Sequence, residues 1–108
     1  MTMSLESAAK SLAELGSPVR LEVFRLLVRA GPEGLAVGEI QRHLGIPKST
    51  LSHHLQHMIM AGLMEQRREG RSLRCRIAYG HVDALLGYLM HDCCAGLDAH
   101  ACNDSTAA

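Results

Sequence analysis

The sequence predicts one mainly α-helical domain carrying a single small β-hairpin. Three observations lead there. Apolar residues recur at helical spacing through most of the first 61 positions, a tight turn joins two short helical patterns near residue 45, and the period then drops to two over residues 72–79. A length of 108 residues suits a single domain, since a second would have too little surface to bury. The hydrophobic fraction is 47%, with only two Tyr and one Phe, so the core rests on Leu, Val, Ile, Ala and Met, residues that suit helices.

Taken in order, residues 4–15 put Leu5, Ala8, Ala9, Leu12 and Leu15 on one stripe, with Ser4 as N-cap. Gly16 and Ser17 interrupt it. Pro18 fits the first turn of a second helix, carried by Val19, Val23, Leu26, Leu27 and Ala30 and stopped by GPEG. A third, short helix spans about Val37 to Leu44 and ends at Gly45. Pro47 opens a fourth that runs to Ala61, with Leu51, Leu55, Met58 and Ile59 as its buried stripe.

Leu73, Cys75, Ile77 and Tyr79 then alternate with Ser72, Arg74, Arg76 and Ala78, the pattern of a strand with one wet face. LMEQRR runs into Glu69-Gly70, so a hairpin of about residues 63–79 is expected with Gly70 at its tip. A fifth helix follows from about His81, carrying Val82, Leu85, Leu86 and Leu89, and the last dozen residues read as a loose tail. The order α-α-α-α-β-β-α is that of a winged helix-turn-helix.

Charge is balanced, eleven basic against eleven acidic side chains, so any affinity for a polyanion must be local. It is local. The fourth helix opposes its leucine stripe with Lys48, Ser49, Thr50, Ser52, His53, Gln56 and His57, short groups suited to phosphates and base edges. The hairpin adds Arg67, Arg68 and Arg71 at its tip, with Arg74 and Arg76 on the exposed strand face, against Glu65 and Glu69. Charged hairpins are often only solvated, and helix pairs joined by tight turns occur in folds that never touch DNA. A helix-turn-helix, a polar recognition face and a basic wing in this order point to double-stranded DNA, with the fourth helix entering the major groove. His54, one step nearer the buried stripe, is expected to pack. No nucleophile with a base, and no carboxylate pair, suggests an enzyme.

LAELGSPVRLEVFRLLVRAG and IPKSTLSHHLQHMIMAGLMEQRREGRSLRCRI resemble the ArsR/SmtB family of dimeric winged-helix metalloregulatory repressors, over roughly residues 8–92. The resemblance implies a homodimer built on the first and last helices, which occupies an operator and leaves it when inducer binds. Many arsenic-sensing members carry Cys-Val-Cys at the start of the third helix. The matching stretch here, GLAVGEI, has Ala36 and Gly38 instead, so thiol sensing must lie elsewhere.

HDCCAGLDAHAC, residues 91–102, supplies the candidates Cys93, Cys94 and Cys102. Thiolates select thiophilic ions. Three suit trivalent arsenic or antimony; four ligands including imidazoles would suit zinc or cadmium. A straight helix cannot serve, because Cys94 and Cys102 would stand roughly 12 Å apart along its axis, whereas bonds of about 2.3 Å to one ion hold sulfurs only about 4 Å apart. The segment must fold back, with Gly96 free to end the helix. Some members of the resembled family bind arsenic at the end of the last helix through an adjacent cysteine pair, which this pattern is similar to.

The expectation is a DNA-binding and dimerisation domain over 1–92 and a sensing tail over 93–108, induced by arsenite, with antimonite also suited and no organic cofactor. A thiol redox switch, a zinc or cadmium sensor (for which His81, Asp83, His91, Asp92 and His100 on the last helix form a poor pattern), an arsenic-buffering protein and a protein-binding winged helix stay open. Cys75, on the inward strand face, is expected to be a packing residue. MTMSLESAAKSLAEL has helical spacing rather than that of a signal peptide, and no apolar run approaches the roughly 20 residues of a membrane span. A cytoplasmic protein is expected.

Overall fold

The computed structural model describes residues 3–97. Its elements run α1 (Leu5–Leu15), α2 (Pro18–Ala30), β1 (Leu35–Ala36), α3 (Val37–Leu44), α4 (Lys48–Met60), β2 (Met64–Glu69), β3 (Ser72–Ile77) and α5 (Tyr79–Met90).

Local chemistry sets most of these boundaries. Ser4 starts α1, its hydroxyl accepting from the Ser7 amide at 3.0 Å, and Ser17 with Pro18 starts α2 in the same way. At the head of α3 the Glu39 carboxylate reaches back to the Ala36 amide at 2.8 Å, satisfying a donor that the helix leaves open. Gly45 closes α3, as the sequence indicated. At the hairpin tip Gly70 has φ +64° and Arg71 has no positive φ; glycine in the first central position is what a two-residue type II′ turn selects.

In the layout of elements, three points differ from the sequence expectation. The hairpin is joined by a third strand, β1, giving an antiparallel sheet of order β1-β3-β2 in which Leu35 pairs with Cys75 and Ala36 with Arg74. Two residues carry no period, so this strand exists only through its tertiary pairing. Tyr79 does not continue the strand alternation: β3 stops at Ile77 and α5 begins at Tyr79, before His81. Helix α5 ends at Met90, well short of Gly96.

The core joins α2 (Val23, Leu27), α3 (Ile40), α4 (Leu51, Leu55, Met58) and the wing (Met64, Cys75, Ile77). Met3, Ala8 and Leu85 form a smaller cluster between α1 and α5. Here the stripe expected on α1 needs correction. That helix buries Ala8 and Ser11 and leaves Leu5 and Leu12 outward, while α5 leaves Leu86, Leu89 and Met90 outward. Two helices thus keep apolar side chains that no other described residue covers. Among the described residues no helix is long and apolar enough to cross a membrane.

Candidate nucleic-acid interface and thiol turn

Burial of Leu51, Leu55 and Met58 at helical spacing fixes the rotation of α4 about its axis. Lys48, Ser49, Thr50, Ser52, His53 and Gln56 are consequently all exposed. Pro47 offers no side-chain cap, so the first amides of α4 have no side-chain acceptor there and suit an anion. Between α3, α4 and the wing tip lies an open groove of about 600 Å³, bordered by Glu39, Arg42, Lys48, Ser52, Gln56 and Arg71.

Strand pairing sorts the five wing arginines. Arg68 lies opposite Leu73 and shares the face of Gln66 and Cys75, whereas Arg67 lies opposite Arg74 on the other face. Arg74 binds Glu69 and Arg76 binds Glu65, both at 3.0 Å, and Arg74 also donates to the Glu33 and Gly34 carbonyls at 3.1 and 3.3 Å. Arg74 and Arg76 are therefore spent within the wing. Among the described residues Arg67, Arg68 and Arg71 have no carboxylate partner.

Behind α4 sit polar links that no sequence period announces. Ser11 of α1 is fully buried; its Oγ lies 2.8 Å from His81 Nε2 of α5 and donates to the Ala61 carbonyl at the end of α4 at 3.4 Å. With the hydroxyl proton on Ala61, His81 donates to Ser11. The His81 ring lies against Gly62, where φ of +83° favours glycine and where a Cβ would meet the ring at 3.0 Å and push it back by a few tenths of an ångström. His57 departs from the open polar set: it is half-buried, with Nδ1 3.3 Å from Glu14 Oε1 of α1.

His54 packs as expected, with Nδ1 3.2 Å from Arg20 Nη1. Burial pushes its basicity below the ordinary histidine value, helped by Arg20 and then by His53 and His57. The unfolded chain thus takes up this proton first, near pH 6.5, and the folded state is penalised as pH falls from there through the lower folded value. The melting temperature should drop below about pH 6.5, and less in His54→Gln; an equal drop in both, measured by thermal unfolding from pH 8 to 5, would contradict this.

The thiols lie off the helix. After Met90 the chain turns, with Cys93 N bonding Met90 O and Ala95 N bonding Asp92 O, both at 3.0 Å. Asp92 and Cys94 have φ of +62° and +65°, conformations that non-glycine residues adopt at some cost. Neighbouring side chains that would diverge by 100° on a helix here converge: Cys93 Sγ and Cys94 Sγ are 3.4 Å apart and exposed. Cys102 and His100 lie outside the described residues, among which no group of three His, Cys, Asp or Glu side chains could hold a metal ion. Cys75 is fully buried, and burial pushes its thiol up against the smaller opposing effect of a hydrogen bond from Gln66 Nε2, so it stays a protonated packing residue.

Known proteins frame this geometry. A helix-turn-helix domain family matches residues 15–67. The regulator YgaV of Escherichia coli is 31% identical over 91 residues, 84% of this chain and 90% of that protein. A possible ArsR-family regulator from Mycobacterium bovis, solved as a homodimeric winged helix-turn-helix DNA-binding domain, superposes with a TM-score of 0.65 at 29% identity, over 83% of each chain. The chain belongs to the ArsR/SmtB family of winged-helix transcriptional regulators. A Halobacterium salinarum protein described as a candidate repressor of an arsenical resistance operon is 34% identical over 68 residues, 63% of this chain and 52% of that one.

Within that family frame, the start of α3 holds Ala36 and Gly38 in place of thiols, and Glu39 is occupied in capping. The one close thiol pair among the described residues is at the end of α5. The zinc pattern fares poorly by geometry, since His81 turns inward to Ser11 while His91 stands exposed beside Asp92. Sequence reasoning missed Ser11, Glu14, Arg20 and the inward role of His81. The only signal available for Ser11 was a polar residue inside the apolar face of α1.

Proposed function

We propose that this regulator is a homodimeric repressor that binds operator DNA and lets go when trivalent arsenic is captured by Cys93 and Cys94, with Cys102 as third ligand. The observation that carries it is the 3.4 Å approach of two exposed thiols at the end of a helix whose apolar face the described residues leave uncovered. Bonds of about 2.3 Å from two sulfurs to one pyramidal centre need a separation in this range. Arsenous acid exchanges each hydroxyl for a thiolate, the thiol proton leaving with it as water, so three thiols release three waters. Trivalent antimony has the same preference. Residues 1–92 form the DNA-binding and dimerisation part and 93–108 the sensing part, in the cytoplasm.

Lys48, Ser49, Thr50, Ser52, His53 and Gln56 meet the major groove and its phosphates, Arg68 and Arg71 reach the backbone from the wing, and Arg67 approaches it from the wing's other face. His57 serves this face from behind. Homodimerisation through α1 and α5 is supported by their outward leucines and by the homodimeric M. bovis relative. Closing the thiol site moves α5, and the His81–Ser11–Ala61 contacts give that motion a route to the end of α4. A coupling of about 1–3 kcal/mol, or about 5- to 150-fold in affinity, is the usual scale.

The 3.4 Å spacing favours one second reading: peroxide takes two electrons and two protons from the pair, giving a Cys93–Cys94 disulfide and two waters, and this releases DNA instead. The experiment is a mobility shift on a duplex from the promoter upstream of the chain's own coding sequence, with arsenite under reducing conditions and, separately, with peroxide. Release by arsenite supports the first reading, release by peroxide alone the second, and binding unaffected by either rejects both. On the same duplex Arg68→Ala and Arg71→Ala should each lower the slope of log affinity against log salt by about 0.9 for every phosphate left without its cation. Arg74→Ala, already engaged inside the wing, should leave that slope unchanged.

A further inference from the structure

Nearly one turn beyond Ser11 on α1, a second polar cluster meets α4 behind its open DNA face and apart from the thiol turn. Glu14 Oε1 lies 3.3 Å from His57 Nδ1 and 3.4 Å from Arg20 Nε. Arg20 Nε donates to the Glu14 carbonyl at 2.8 Å, and its Nη1 lies 3.2 Å from His54 Nδ1. The Glu14 and Arg20 side chains are only 18% and 17% exposed, so their own ion pair is largely shielded from water, while the His57 ring is open on its other side, 42% exposed. Arginine is donor only, which makes His54 Nδ1 the acceptor; carboxylate is acceptor only, which makes His57 Nδ1 the donor. The His57 ring in turn meets the His53 ring edge-on, with centroids 4.6 Å apart.

We infer that Glu14 is a positioning residue for operator binding, holding α4 directly through His57 and, through Arg20, by way of His54. Apolar burial at Leu51, Leu55 and Met58 fixes which face of α4 is inward but is weakly directional. A hydrogen bond at His54 and a close ring–carboxylate contact at His57, three residues further along α4, restrict its remaining roll and tilt. Glu14 and Ser11 are three residues apart on α1 and so share one face, the face turned to α4, while Leu5 and Leu12 point outward. The end of α1 thus sets the angle at which Ser52, His53 and Gln56 are offered to DNA, and His53 inherits its orientation through His57. The inference rests on the repressor reading above.

The test is a double-mutant cycle of Glu14→Gln and His57→Gln, read as affinity for the same promoter duplex by fluorescence anisotropy, with melting temperature and solution mass recorded. Each single variant should lose about fivefold, and the double variant about the same as either, because residues that touch are not additive. Melting temperature and mass should hold. Wild-type affinity in Glu14→Gln, or a double loss equal to the product of the singles, overturns the inference while leaving the repressor reading in place; an unsubstituted chain that binds no duplex overturns both. A measurement free of substitution covers a variant that folds poorly. Ring ¹⁵N spectra of the wild type at pH 8 should show His57 with its proton on Nδ1, facing the carboxylate, and a proton on Nε2 overturns the assignment.

Discussion

Cys94→Ser should keep operator affinity and lose its response to arsenite. Serine matches cysteine in shape and can occupy the same turn, but a hydroxyl is a hard, weakly acidic ligand with little attraction for trivalent arsenic. The substituted side chain is exposed and lies beyond Met90, away from α4 and from every group proposed to meet DNA, so folding and DNA binding have no reason to change. What disappears is one of two sulfurs held 3.4 Å apart. Cys93 with Cys102 then supplies at most two of the three proposed sulfur bonds, and the coupling of about 5- to 150-fold between inducer and operator falls towards one. Cys93→Ser should behave identically. Cys75→Ser should leave release intact, though a hydroxyl in that fully buried place costs stability of about 1–3 kcal/mol. Titrating arsenite into the protein–duplex complex decides the matter: full release from Cys94→Ser at wild-type concentrations removes Cys94 from the ligand set.

What the sequence disclosed, and what it withheld, follows from how local each cause is. Helix starts at Ser4 and Ser17-Pro18, the stop at Gly45 and the hairpin tip at Gly70 depend on a residue and its immediate neighbours, and all were legible. The polar face of α4 follows from one leucine stripe. Strand β1 was not legible, because two residues have no period and Leu35 is a strand residue only by virtue of Cys75. The wing illustrates the same limit: five arginines could be counted, but only the register shows Arg74 and Arg76 neutralised by Glu69 and Glu65 and Arg67 parted from Arg68. The cysteine pair was visible as composition and misplaced as geometry, since Gly96 was the expected stop while Asp92-Cys93-Cys94, all poor helix formers, follow a helix that has already ended at Met90. Contacts such as Ser11 with His81, or Glu14 with His57, join residues far apart in the chain and leave no trace in any window.

Leu86→Glu should separate the dimer and with it most of the operator affinity. Leu86 is 57% exposed on α5 and Leu12 44% exposed on α1, on the two helices whose apolar sides the described residues leave bare. Covering such side chains releases roughly 25 cal/mol for each Å² of apolar surface removed from water. In a two-fold interface every substitution enters twice, so one glutamate brings two desolvated carboxylates into the same contact. The folded monomer should survive, because the core of Val23, Leu27, Leu51 and Leu55 does not include Leu86. DNA binding should not survive at working concentrations. Two recognition helices on one rigid body convert the second half-site into an intramolecular event, an advantage of about 10²- to 10⁴-fold that a monomer forfeits. Leu21→Glu is the control: Leu21 is 45% exposed, comparable to Leu12, but lies on α2 outside the proposed interface. Light scattering should report half the mass for Leu86→Glu and an unchanged mass for Leu21→Glu. Equal masses for all three proteins would mean that α5 is bare for some other reason, and the coupling of its thiol turn to a symmetric pair of recognition helices would lose its mechanical basis.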